Sequence, residues 1–239
     1  KLNPAQHLDK TLTISGKGVS GVNDERAYTL PKRAWDTSFF GIMSDVSPYT
    51  KSTGISLHLS VNPRIDDMKG YFNKEPDDFS ELNGSNLMSV SESLAPFAQK
   101  HDSAPRLGML MSQTNHIVST DHSEPSLVTY GFDESMVHLD TDFAHHMKDD
   151  GKVIMMNDRY IKVEYVNLKN DDGTPQVDVF NLDDVDRNSA KAKYIRNKMI
   201  LNKSLKVKEG KLLPKDAVVA YNEAFYQEMG GDIIFKAGP

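Results

Sequence analysis

Apolar positions follow three regimes along the 239 residues. From 1 to 76 they are scattered among Gly16, Gly18, Gly21, Pro31, Gly41, Pro48 and Gly54, with one short alternation, Ile55-Ser-Leu-His-Leu-Ser-Val61, that predicts a strand. Such a turn-rich stretch reads as long loops, which carry function when a scaffold holds them. From 77 to 150 the period lengthens. Leu87, Val90 and Leu94 have helical spacing, Asp77 and Asp78 offer capping oxygens, Pro96 ends or kinks the run, and a second helix is predicted over 105–115. From 151 to 239 the period drops to two in Tyr160-Ile-Lys-Val-Glu-Tyr-Val166 and Gln176-Val-Asp-Val-Phe180, joined through Asn170-Asp-Asp-Gly173, a hairpin turn signal. The pattern predicts an α+β fold: a loop-rich region over 1–76, a helical region over 77–150 and a β-rich region over 151–239.

Composition narrows the chemistry. There is no cysteine, so disulfide frameworks, thiolate zinc sites and thiol catalysis are excluded. The charged fraction of 26% and hydrophobic fraction of 38% are those of a globular chain. No apolar run approaches the roughly 18 residues of a membrane span, and the start lacks a signal peptide's hydrophobic stretch, so an intracellular protein is expected. The chain opens without methionine and closes without a terminal pattern, as an excised piece of a longer protein would.

The net charge of -6 weighs against a freestanding nucleic-acid binder but hides an asymmetry. Between Arg187 and Lys215 ten basic residues, Lys198 and Lys203 among them, stand against one acid, Glu209; the remaining 18 basic residues stand against 33 acids. A basic strip on an acidic body fits a phosphate-facing surface as well as a solvated lysine face, and composition does not choose between them.

Two local patterns are decoys. Gly16-Lys-Gly-Val-Ser-Gly21 has dinucleotide-binding spacing, yet Pro31 and Lys32-Arg33 follow where a helix must run, so a loop is the better reading. His138, Asp140, Asp142, His145, His146, Asp149 and Asp150 are donors of the kind that bind divalent metals, but no spacing fixes their geometry and a hydrated acidic loop is expected. Neither a nucleophile elbow nor a P-loop is present. In His101-Asp-Ser-Ala-Pro-Arg106, by contrast, a guanidinium sits just inside a predicted helix start, where Arg106 either grips a phosphate or pairs with Asp102 on the surface.

Taken in order, the motifs resemble the central part of the β (second-largest) subunit of multisubunit DNA-directed RNA polymerases. Asn3-Pro4, then Ser15-Gly-Lys-Gly18 and Gly21, resemble N-P…S-x-x-G-x-G-G; Asp24-Glu-Arg-Ala27 resembles R-E-R-A. Arg33 and Ser38-Phe-Phe-Gly41 are similar to R-D-V-H-P-S-x-Y-G with one residue inserted, and Ser47-Pro48 with Gly54-Ile55 to T-P-E-G-P-N-I-G-L, one residue short. Ser93-Leu-Ala-Pro-Phe97 resembles S-L-I-P-F, the 101–106 segment H-N-Q-S-P-R, and Ser126-Leu-Val-Thr-Tyr-Gly131 P-L-V-G-T-G. Val207-Lys-Glu-Gly210, followed by 213–220, resembles V-x-x-G-D-x-V-x-x-G-x-x-L-A. The blocks are collinear over most of the chain.

The resemblance implies roles. The 16–28 segment stands where the family has a fork loop at the edge of the RNA-DNA hybrid, with Lys17, Arg26, Arg33 and His116, and Lys198 and Lys203 of the basic strip, facing nucleic acid. The final third would begin the family's hybrid-binding barrel. Arg106, with Asp102, would contact the triphosphate of the incoming NTP. No catalytic or metal residue is expected on this chain. Two Mg²⁺ would sit on the aspartate triad of the largest, β′-type subunit, and the paired lysines of the second-largest subunit would lie beyond Pro239. The implied partners are that subunit, remaining β fragments, DNA template, RNA and NTPs, with no membrane. Departures are specific: Q-R-Q becomes Thr114-Asn115-His116, E-T-P-E-G loses its glutamates at Val46 to Tyr49, and Lys10 and Thr13 replace a His and an Arg of the rifampicin pocket, which implies resistance. This drift is similar to the split subunits of giant bacteriophages, placing the protein in the infected host's cytoplasm or the phage particle. The competing reading is a catalytically inert phage structural or interaction protein that keeps a polymerase-like segment.

Overall fold

In a computed structural model of the chain, residues 3–18, 29–48, 50–65, 69, 80, 82–98, 100, 108–120, 122–182 and 199–236 are described in full, and 99 and 104–107 by their backbone. The fold is mixed α+β with more strand than helix. It divides into two compact units, one built mainly from residues 3–117 and the other mainly from 131–239.

The first unit opens on a helix that the 1–76 pattern hides. Asn3 is extended, its side chain accepts the Gln6 amide at 2.7 Å, and Pro4 supplies a preset first helical position, so helix α1 runs Pro4–Thr11. Strand β1 (Thr13–Ser15) follows, then a short helix α2 (Leu30–Arg33) and a 3₁₀ turn at Thr37–Phe39. The predicted 55–61 strand is present as β2 (Ser56–His58), antiparallel to β1 with Thr13 opposite His58, and a bridge from Met43 to Leu59 continues its path.

The expected helical run through Leu87, Val90 and Leu94 is two helices, α3 (Gly84–Leu87) and α4 (Val90–Leu94). Ser89 separates them because its hydroxyl accepts the Glu92 amide while the Glu92 carboxylate accepts the Ser89 amide, a reciprocal cap that starts a new helix. Asp77 and Asp78 lie outside the described residues; the caps are Asn83 and Ser89. The 105–115 prediction is met by α5 (Ala104–Thr114), and α4 packs against both α1 and α5 around buried Ala5, Leu8 and Val90.

The second unit carries α6 (Phe132–Leu139) and the remaining strands: β3 (Ala144–His146), β4 (Gly151–Met156), β5 (Tyr160–Lys169), β6 (Pro175–Asn181), β7 (Met199–Leu201), β8 (Leu212–Leu213), β9 (Val218–Asn222), β10 (Tyr226–Met229) and β11 (Asp232–Phe235). They form antiparallel sheets in the orders β6-β5-β4-β8, β3-β9-β7 and β10-β11. Alternation in β5 buries Ile161, Val163 and Tyr165 in a core with Met147, Val153, Phe180 and Leu213. The β5-β6 turn is the predicted one, with Gly173 at φ +81° and the Asp172 carboxylate accepting from Thr174. Gly151 is required by close approach, since a Cβ there would sit 2.7 Å from Met147 and 2.8 Å from Val163. Among the described residues no helix is long and apolar enough to cross a membrane.

Candidate nucleic-acid interface

Two of the predicted phosphate-facing cations converge on one turn of the first unit. Residues 50–55 fold back on themselves through Thr53 N to Thr50 O at 3.0 Å and Ile55 N to Ser52 O at 2.9 Å, and the Thr53 hydroxyl donates to Pro48 O at 2.7 Å. The Arg33 guanidinium donates to Lys51 O at 2.8 Å and Thr53 O at 2.7 Å, and the Lys17 ammonium reaches the Ser52 hydroxyl at 3.2 Å. Gly54 permits this assembly: its φ is +71°, and a Cβ would lie 2.6 Å from Arg33 O. Gly16 N donates to Ile55 O at 3.0 Å, which extends the β1-β2 ladder to the glycines beside Lys17.

Lys32 and Lys51, exposed neighbours in sequence of Arg33 and Ser52, add to the positive charge. The nearby acid Asp36 is occupied by Ser38, whose hydroxyl and amide hold its carboxyl below the ordinary value. A cationic turn rich in backbone polar groups is suited to phosphates, which are read by charge and hydrogen-bond donors rather than by base identity.

Arg106 enters through its helix. Its backbone lies in the first turn of α5, and two residues on, Gly108 sits against the segment leading into the cationic turn, where a Cβ would be 2.3 Å from Ser47 O and 3.4 Å from Pro48. The other end of α5 is tied to α1. The Asn3 amide group donates to Ile117 O at 2.9 Å and Asn115 O at 3.1 Å, and the Asn115 amide donates to Asp9 at 2.9 Å. Asp9 is buried and lies 3.3 Å from His58 of β2, whose ring is within 3.2 Å of the Thr13 hydroxyl. His116 is exposed just past the helix, its Nδ1 engaged with Ser112 O. α5 is thus seated through Gly108 on the 47–48 segment and tied beyond its last turn to α1.

Lys203 belongs to the second unit, exposed on the turn after β7. Around it Lys206 adopts φ +46°, Lys211 donates to Leu205 O, and Glu209 accepts the Met156 amide at 2.9 Å. Arg26, Asp102 and Lys198 lie outside the described residues, as does the 187–198 part of the basic strip.

Two of the acidic and imidazole decoys, Asp140 and His145, have structural partners. Asp140 is wholly buried rather than hydrated: it accepts the Tyr226 hydroxyl at 2.6 Å and the amides of Asp142 and Phe143, and burial, with that carboxylate beside it, pushes the Tyr226 phenol well above its ordinary value. His145 stacks on Phe180 and bonds Asn181 O. Among the described residues no group of three or more His, Asp or Glu side chains is arranged to hold a metal ion.

Sequence reasoning named Lys17, Arg33 and Gly54 but missed Ser52, which receives Lys17, and Gly108, which seats the helix that carries Arg106. The available signal was the pairing of Ser47-Pro48 with Gly54-Ile55 around a turn. Compared with protein-family models and with curated proteins, the chain has no match.

Proposed function

We propose that this chain is a β-type subunit segment of a multisubunit DNA-directed RNA polymerase, of the divergent giant-bacteriophage kind, that helps hold the template-RNA hybrid and the incoming NTP. It acts with a β′-type largest subunit and the remaining β segments, and alone it synthesises nothing. The observation that carries this reading is the meeting of three collinear motifs: Ser15-Gly-Lys-Gly18 and the 47–55 segment share one cationic turn, and the Arg106 helix is seated on Ser47.

In this reading Arg106 orients and neutralises the NTP phosphates, while Lys17 and Arg33, with Arg26, His116, Lys198 and Lys203, face the nucleic-acid backbone. The final third begins the barrel that cradles the hybrid. Mg²⁺, which the aspartates of the largest subunit and not this chain would hold, would supply charge neutralisation at the reacting phosphate. Residues of this chain position the phosphates and do not take the proton. The enzyme works in the infected bacterial cytoplasm or enters with the phage particle. Replacing Arg106 by Ala in the reconstituted polymerase raises the KM for NTPs about tenfold, the loss of one charge-assisted phosphate contact. An unchanged KM removes Arg106 from the site.

A further inference from the structure

The first unit carries a cavity of about 610 Å³ that the cationic turn does not line. Its walls are aromatic and aliphatic, with Trp35, Phe39, Phe40 and Leu87 prominent, and Trp35 meets Phe39 edge to face at 6.5 Å. Two carboxyl groups interrupt this apolar lining, the exposed Asp45 and, beside it, the buried Glu92. Glu92 is only 3% exposed, yet it opens α4 and its oxygen accepts the Ser89 amide at 2.6 Å, so the carboxyl is held in place by the helix cap. No Lys, Arg or His is among the described residues that line the cavity.

This combination selects a ligand by charge and shape. A buried carboxyl beside a second, exposed one in an apolar lining favours a cation that meets the negative charge of the pair. Aromatic faces attract cations and also cover hydrocarbon. A volume of this size, apolar with a few convergent polar groups, accommodates a small organic molecule. We propose that the cavity binds a small organic cation, an ammonium on an apolar body, with the charge set between Asp45 and Glu92 and the body against Trp35, Phe39 and Phe40. The site goes beyond the polymerase reading and stands without it. Burial, and then the hydrogen bond and charge of Asp45, push Glu92 up to about 8.

Trp35 is the single tryptophan of the chain, so its emission reports occupancy directly. Three probes of one shape, 4-phenylbutylammonium, 4-phenylbutanol and 4-phenylbutyrate, are titrated into the 239-residue chain. The proposal expects a saturable change with the ammonium, binding at least about tenfold weaker for the alcohol, and none for the carboxylate, as one charge-assisted contact implies. In D45N/E92Q the preference for ammonium over alcohol falls to about twofold or less. Equal binding of alcohol and ammonium by the unaltered chain overturns the proposal whatever the variant does, as does the absence of any saturable response. An undiminished preference in a folded D45N/E92Q chain overturns the role of the carboxyl pair.

Discussion

Gly108 offers a test in which two physical effects oppose each other. In a helix interior Ala is favoured over Gly by about 1 kcal/mol, so propensity alone predicts that G108A stabilises α5. The structure predicts the reverse. A Cβ at 108 would stand 2.3 Å from the Ser47 carbonyl oxygen and 3.2 Å from its carbon, and both atoms are backbone, which cannot turn aside as a side chain would. Restoring an ordinary contact near 3.5 Å needs a shift of about 1 Å between α5 and the 47–48 segment. Overpacking of this kind costs about 1–3 kcal/mol, which exceeds the propensity gain. Gly84 provides the control, because a Cβ there meets only Met88 Sδ at 3.6 Å, an ordinary contact, and G84A should be neutral or stabilising. Urea unfolding of both variants, with equal slopes, reads the difference. The same displacement moves the turn that carries Arg106, so under the proposed polymerase function G108A raises the NTP KM of the reconstituted enzyme while G84A leaves it unchanged. The reasoning is refuted if G108A is as stable as G84A.

Other expectations follow from the same contacts. Asn3 caps α1 and holds the carbonyls beyond α5, so N3A loses about 2–4 kcal/mol in urea unfolding; a loss under about 0.5 kcal/mol contradicts that double role. Because the Glu92 carboxyl titrates near 8 in the folded chain against 4.5 ordinarily, the folded state binds the extra proton, and its contribution is complete below about 4.5 and lost as pH rises through 8. Relative to E92Q, the unaltered chain therefore loses up to about 1.4 kcal/mol of stability per pH unit between pH 5 and 8, and parallel pH profiles refute it. Under the proposed polymerase function, with Lys10 exposed and Thr13 committed to Asp9 O and His58, the assembled enzyme is expected to resist rifampicin at levels that stop a bacterial enzyme; inhibition at those levels refutes the assignment of these positions.

Where a single local rule governs the backbone, the sequence showed it. Pro105 and the apolar spacing after it announce α5, and the alternation of Tyr160 to Val166 with Gly173 announces the β5-β6 hairpin. Strand β9 gives no such alternation, because it is central between β3 and β7 and all five of its residues are buried. Helix α1 was overlooked in a glycine-rich stretch although Asn3-Pro4 is a cap followed by a helix-starting proline. The candidate site divides in the same way. Lys17, Arg33 and Arg106 are chemically conspicuous in the sequence. The Gly54 turn, the Gly108 seat and the Asp45-Glu92 pair depend on approaches between segments up to about 60 residues apart, and no local pattern encodes them.

The central claim is membership in a polymerase, and it is tested most directly by recovering the chain from infected cells under native conditions and identifying what comes with it. The account predicts a largest-subunit-like protein carrying the aspartate triad, in stoichiometric amount, with NTP-dependent RNA synthesis in the recovered complex. Recovery of the chain alone, or in an assembly that contains no such subunit and makes no RNA, contradicts it.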